Sequence, residues 1–403
     1  MPTFSFSTRR PCPYTWNSKE IIDGVHGVLQ RHSVYIRSFY LRCPLSGSCA
    51  HTLEQCIYSL GDLGIEKLYL GASSEWPATD FSFSCHLLSH MPPLKYFKLK
   101  SFSLQPNLKS QCNSLRTLRL SNVRAPPGSL ECILSNCLSL CTLTIKKCQV
   151  PSKLCFRGPN LQLKCIAIHG CEALEEIEFE ATSLTTFDFE GDKIVKFIFD
   201  HVPQLHTIYI SSYHDTMPYF CGRLGEYLPR LKTLLYFDSQ DGSIAAGIKM
   251  FNNLKRLELA SGHLITFNLF SLTSVLHACP RLQEFHFSVN LQYEFYEWPE
   301  EEKNVVFHSQ LKYVELSGFG ARESEVRFAS YILKSAIVLQ QMFISWVSRL
   351  YMGLGKWSEG YDPALSKEWS QALESIEQMK HQAVSKTAQV IFQQSPRLKS
   401  KQF

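Results

Sequence analysis

Between Leu115 and Ile145 the chain reads LRTLRLSNVRAPPGSLECILSNCLSLCTLTI, and this stretch decides the fold. It opens and closes on one six-residue cassette, apolar-x-x-apolar-x-apolar, and the two copies stand about 25 residues apart. Between them Leu130, Ile133, Leu134 and Leu138 recur at helical spacing. Working outward, the cassette returns as IRSFYL from Ile36, IEKLYL from Ile65 and LKYFKL from Leu94. On the other side come LKCIAI from Leu163, LTTFDF from Leu184, LHTIYI from Leu205 and LKTLLY from Leu231. LKRLEL from Leu254, LQEFHF from Leu282, LKYVEL from Leu311 and LQQMFI from Leu339 complete thirteen copies.

Within a cassette the last four residues alternate, so positions four and six turn inward while three and five face out. So short a strand is stable only when stacked on its neighbours in a parallel sheet. Period and core resemble leucine-rich repeats, whose coils run to about 20–29 residues. The expected fold class is α/β: a leucine-rich-repeat solenoid with a curved parallel sheet, a mixed helix-and-strand convex side and a C-terminal helical cap. Gly128–Leu140 and Phe270–Ala278 are expected as convex helical segments. In the middle, extra cassettes (LEEIEF from Leu174 and IVKFIF from Ile194) shorten the interval to 10 or 11 residues. That is too short for a strand and a crossover helix. These central coils are therefore expected to return through a second, convex strand.

Composition excludes several classes. Of 403 residues, 45% are hydrophobic and 19% charged, enough for a core and incompatible with wholesale disorder. Lys and Arg number 41 against 36 Asp and Glu, a net charge of +5 that is too mild to argue for nucleic acid. The fifteen cysteines include no CxxC pair, and a reducing compartment, cytoplasmic and/or nuclear, is expected. Cys148, Cys171 and Asn290 fall at the ninth repeat position, where the chain turns; most of the fifteen cysteines read as small buried hydrophobes or turn residues. The most apolar window, Ala336–Leu354, is broken by Gln340, Gln341, Ser345 and Arg349, so no membrane span is expected. No GxSxG, HExxH or Walker sequence occurs. Cys85-His86-x3-His90 lacks a second ligand pair, and Gly318-Phe-Gly320 reads as a tight strand–helix turn. No catalytic residue, metal or cofactor is expected.

Two segments carry a family resemblance. IIDGVHGVLQRHSVYIRSFYLRC, from Ile21, resembles the helix and first strand that follow the F-box in plant F-box/LRR proteins. HSQLKYVELSGFGARESEVRFASYILKSAIVLQQMFI, from His308, resembles their C-terminal FBD-type module, with Phe328, Ala329, Ile332, Leu333 and Ala336 on its helix. VSKTAQVIFQQSP near the end fits the same pattern. The resemblance implies target recognition within a cullin ubiquitin ligase, to which the F-box docks through a Skp-type adaptor. That box begins near Leu-Pro and ends near Arg-Trp, and MPTFSFSTRRPCPYTWNSKE contains neither feature. A Skp-type adaptor is accordingly not expected as a partner. The alternative expectation is a ubiquitin-ligase substrate receptor whose F-box is missing from this chain.

The expected organisation is a poorly ordered segment over 1–20, the solenoid over 21–348, and a helical cap and tail over 349–403. Leu365, Trp369, Leu373, Ile376, Met379 and Ala383 give the cap its apolar stripe after Asp362-Pro363. The expected binding surface for an unknown target protein is the concave sheet face. Lys67, Tyr69, Tyr96, Lys98 and Arg119 make its early part basic and aromatic; Tyr209, Glu258, Glu284, His286 and Glu315 lead to an acidic end.

Overall fold

The computed structural model describes residues 3–7, 18–45, 47–72, 81–108, 110–158, 161–212, 228, 230–238, 251–261, 266–267, 269–289, 294–295, 306–353, 355–360 and 377–393. The chain forms two units, Met1–Phe187 with Val195–Gln204, and Asp188–Ile194 with Leu205–Phe403.

In the first unit every cassette becomes a short strand, and the strands pair in parallel in chain order. Thr3–Ser7 lies beside Ser38–Cys43, followed by Lys67–Ala72, Tyr96–Lys100, Thr117–Ser121, Thr142–Lys146 and Cys165–His169. The register places cassette on cassette, as at Tyr69↔Lys98↔Arg119↔Thr144. One backbone rung repeats: the carbonyl of position two accepts from positions two and three of the next coil, as Arg37 O does from Glu66 N and Lys67 N at 3.1 and 3.0 Å. Positions one, four and six are buried in the six cassettes from Ile36 to Leu163, for instance Leu94, Phe97 and Leu99.

Position eight turns the chain off the sheet in a left-handed backbone conformation. Ser101, Asn122, Lys147, Gly170 and Gly318 all stand there with φ between 51° and 73°. Glycine enters that region without penalty, whereas a lysine does so at a cost of about 1–2 kcal/mol. Lys147→Gly is therefore expected to raise the stability of the first unit by about 0.5–1 kcal/mol in urea denaturation, since its backbone bond to His169 O survives.

Position nine then points back inside. Val123 N donates to Cys148 Sγ at 3.4 Å, and the Cys148 and Cys171 thiols donate to the carbonyls of Lys146 and His169. Burial pushes the thiols of Cys43, Cys56, Cys85 and Cys148 up to about 12, which suits packing groups and not nucleophiles. Asn290 lies outside the described residues.

Opposite the sheet, the unit returns through helices Ser18–Arg31, Ala50–Asp62 and Ser129–Asn136 and a 3-10 segment, Cys85–His90. The central coils return through strands: Lys153–Arg157, Glu176–Glu180 and Lys196–Phe199 form their own parallel sheet. Its inner face stacks Phe156, Phe179 and Phe199, with Phe187 edge-on to Phe179. Its outer face is an ion-pair ladder, Lys153–Glu176–Lys196 and Arg157–Glu178. Strand returns are not confined to this middle region. Ser82–Ser84 pairs with Ser103–Gln105, and in the second unit Thr266–Phe267 pairs with Glu294–Phe295.

The N-terminal expectation needs correcting. Thr3–Ser7 is a strand, and the helix begins at Ser18. MPTFSF matches the cassette, with Met1, Phe4 and Phe6 at its apolar positions. An edge strand needs no further signal than its alternation.

The second unit continues the pattern in Thr207–Ser212, Thr233–Asp238, Arg256–Ser261, Glu284–Val289, Tyr313–Ser317, Gln341–Ser345 and Gln389–Gln393. Helices Ser271–His277 and Glu323–Ser335 pack behind it. Within 349–403, where a helical cap is expected, the described residues are helical over 377–382 and form strands and turns elsewhere. Ser348–Tyr351 and Trp357–Gly360 form an antiparallel hairpin, and Gln389–Gln393 is a further parallel strand. The last strand lies in VSKTAQVIFQQSP but does not match the apolar cassette, because Thr387 stands at position one, where its hydroxyl bonds to Leu339 O at 3.1 Å. Of the predicted apolar stripe, Leu365, Trp369, Leu373 and Ile376 lie outside the described residues, while Met379 is buried.

Candidate functional site

The face of the sheet that carries positions three, five and seven holds the residues singled out above, and the two units treat it differently. In the first unit Tyr40 stacks on Tyr69 at 4.1 Å, and Lys98 Nζ sits 5.0 Å over the Tyr69 ring. The Arg119 guanidinium sits 5.7 Å over Tyr96. Gly71 gives the Tyr69 ring its room: a Cβ there would stand 3.1 Å from it. Burial and the Tyr40 hydroxyl push the Tyr69 phenol up to about 12. Burial, then the neighbouring Arg119 and Lys100, hold the Lys98 ammonium below its ordinary value. Tyr69, Tyr96, Lys98 and Arg119 thus form one half-buried cluster, with Lys67 exposed at its margin. Position seven adds Arg42, Lys100, Ser121 and Lys146 to the same face, because the strands run one alternation past the cassette. The period-two pattern carried that signal, but a six-residue cassette stops short of it.

In the second unit the face is filled from within. Glu258 is buried and paired with Arg256, which also holds Glu284 at 2.8 Å. His286 Nδ1 and Arg349 Nη1 both reach Glu315 Oε2 at 2.9 Å. Arg349 belongs to the hairpin. Its backbone N–H donates to Ser288 Oγ at 2.9 Å, and its carbonyl accepts from that hydroxyl at 3.1 Å. Tyr351 stacks on Tyr209 at 5.6 Å, and its phenol is driven upward by burial and by Asp188. Hairpin glycine Gly355 (φ 71°) closes over Tyr209, whose hydroxyl would lie 2.7 Å from a Cβ. The hairpin therefore lies across Tyr209, Ser288 and Glu315, and a cavity of about 180 Å3 remains between Glu315, Arg349 and Trp357. Its residues carry no cassette, so reading repeats alone passes over them.

These stacked cassettes also place the chain among known proteins. A family model described as the LRR domain of At1g61320/AtMIF1 matches residues 28–393. The chain belongs to this LRR-domain family. Beyond the family model, it is 29% identical over 252 residues to the FBD-associated F-box protein At5g60610 of Arabidopsis thaliana, covering 58% of this chain and 62% of that protein. It is 34% identical over 111 residues to the F-box protein At1g80960 of Arabidopsis thaliana, covering 26% of this chain and 22% of that protein. The chain thus spans under two thirds of either relative. A solved internalin of Listeria monocytogenes aligns over 80% of this chain and 88% of its own, at 13% identity and a TM-score of 0.29.

Other sequence features take structural parts in this LRR fold. His86 is engaged at both ring nitrogens, by Ser84 Oγ at 2.9 Å and Tyr58 Oη at 3.0 Å, with His90 packed edge-on. Among the described residues no group of three or more His, Cys, Asp or Glu is placed to hold a metal ion. Gly318-Phe-Gly320 forms the strand–helix turn: Glu325 Oε2 accepts from Gly320 N and Arg322 N at 3.0 and 2.9 Å. No helix among the described residues is long and apolar enough to cross a membrane.

Proposed function

We propose that this chain is a non-catalytic protein-interaction module, the target-recognition part of an F-box/LRR-type protein, and that the target seats on the outward sheet face of the first unit. The observation that supports this is the contrast between the units. The second unit covers Tyr209 and Glu315 with its own hairpin, whereas among the described residues of the first unit no hairpin lies over Lys67, Tyr96, Lys98 and Arg119. Aromatic and arginine side chains held half-buried are the residue types that anchor protein interfaces. Action as a substrate receptor of a Skp-cullin-F-box ubiquitin ligase is the second reading, favoured by the two relatives named as F-box proteins. A Skp-type adaptor is not an expected partner of the repeats themselves.

Changing Lys67, Tyr96, Lys98 and Arg119 together to Ala tests the first reading. Proteins that co-purify with the wild-type chain should fall at least about tenfold, with the far-ultraviolet circular dichroism unchanged. An unchanged partner set removes this face from consideration. Stable capture of a purified Skp-type adaptor by the chain alone would favour the second reading.

A further inference from the structure

Elsewhere in this chain cations on neighbouring strands are paired through a carboxylate. Glu66 joins Arg37 and Lys95; Glu176 joins Lys153 and Lys196; Glu258 and Glu284 hold Arg256. The outward face of the first unit breaks that habit. Six strands from Ser38 to His169 present three positions each, and none of those positions is Asp or Glu. Lys98 and Arg119 are direct cross-strand partners, about 4.8 Å apart at the backbone, and like charges so placed repel. Two polar atoms lie beside them without a hydrogen-bond partner among the described residues. They are Arg119 Nε and Thr144 Oγ1, both buried, on residues that are again cross-strand partners.

Resting on the reading above, we propose that this face recognises an acidic peptide segment of the partner protein, one oxyanion seating at Lys98, Arg119 and Thr144 and a second between Lys100 and Lys146. The aromatic rings weigh against nucleic acid. Tyr40 and Tyr69 stack on each other, Lys98 covers Tyr69, and Arg119 covers Tyr96, so each ring already has a face engaged, which leaves less room for base stacking. What the face offers is cation heads, which suit carboxylate or phosphoryl oxygens. Spacing adds a constraint. Lys100 and Lys146 share a row two strands apart, about 10 Å, which is three residues of an extended peptide. Acidic residues at every third position of a segment crossing the strands match it.

Fluorescence anisotropy on the full chain tests this with four labelled probes: an extended peptide with Glu at every third position, the same peptide with phosphoserine there, the same with Gln, and an oligothymidine of equal charge. The Glu or the phosphoserine peptide should bind at least about tenfold more tightly than the Gln peptide, and the preference should shrink as salt rises. Whichever of the two binds better identifies the source of the oxyanion. The double variant Lys98→Gln, Arg119→Gln removes mutually repelling charges, so it should unfold at or above the wild-type midpoint while losing that preference. Arg327→Gln, on an exposed helix surface, should keep it. Equal binding of the Gln peptide, an unaffected double variant or tighter binding of the oligonucleotide overturns the proposal. Loss of co-purifying partners in the quadruple alanine variant without any acidic preference would leave the interaction module standing and this inference overturned.

Discussion

Phe179→Ala is expected to cost about 3–5 kcal/mol, read as a fall in the urea midpoint of the first unit. The ring is fully buried, stacked at 5.5 Å on Phe156 and at 5.2 Å on Phe199, and met edge-on by Phe187 at 4.8 Å. The physical cause is the thinness of these coils. A helical return can shift as a rod to fill a void, but the Glu176–Glu180 strand is bonded on both sides, to Lys153–Arg157 and Lys196–Phe199, and cannot move inward alone. The cavity therefore stays open and its cost adds to the lost transfer energy. Phe199 stands at the edge of the same stack and is only half-buried, so Phe199→Ala should cost clearly less. Equal losses at the two positions would show that the stack does not carry the stability of the central coils.

Acid should weaken the second unit as pH falls from about 6.5 toward 4. His308 is buried against Tyr331 and His277, its backbone N–H donating to Ser335 O at 2.8 Å. Burial, then the neighbouring His277, push its imidazole down from 6.5 to about 4. Burial also holds His277 below its ordinary value, and its Nε2 lies 2.8 Å from Tyr331 Oη. A histidine with a depressed native pKa binds its proton more readily when unfolded. The stability is therefore complete above about 6.5 and is lost as pH falls from there toward 4. A shift of this size amounts to roughly 3 kcal/mol across the window. His308→Phe keeps a ring in the site and removes the proton, so its denaturation midpoint should depend much less on pH between 6.5 and 4. A variant that tracks the wild type through that range would place the acid sensitivity elsewhere.

The residues differ in how much of this they disclosed. Every cassette with a leucine or isoleucine at position one announced its strand, because burying positions one, four and six is the condition for stacking coils. The shortened interval between Leu163 and Leu205 announced the second sheet, because the chain there is too short for a helix. Thr387 and Met1 kept two edge strands outside the thirteen cassettes: one replaces the apolar signal with a hydroxyl bonded to a backbone carbonyl, and the other begins the chain. The hairpin Ser348–Gly360 contains no repeat, and its place is set by Ser288, Tyr209 and Glu315, residues distant in sequence.

The candidate surface divides along the same line. That Lys98 and Arg119 face outward follows from alternation and could be read from LKYFKL and LRTLRL alone. That they lie side by side with no carboxylate at the outward positions of the neighbouring strands, while Glu258, Glu284 and Glu315 are consumed by Arg256, His286 and Arg349, is a matter of register and of chain folded back from afar. Sequence by itself determined the repeat, the direction of each side chain and the membership of the outward face, since these depend on spacing within a few residues. Only the tertiary structure decided which part of that face the hairpin covers, because covering a surface depends on contacts between residues that spacing does not relate.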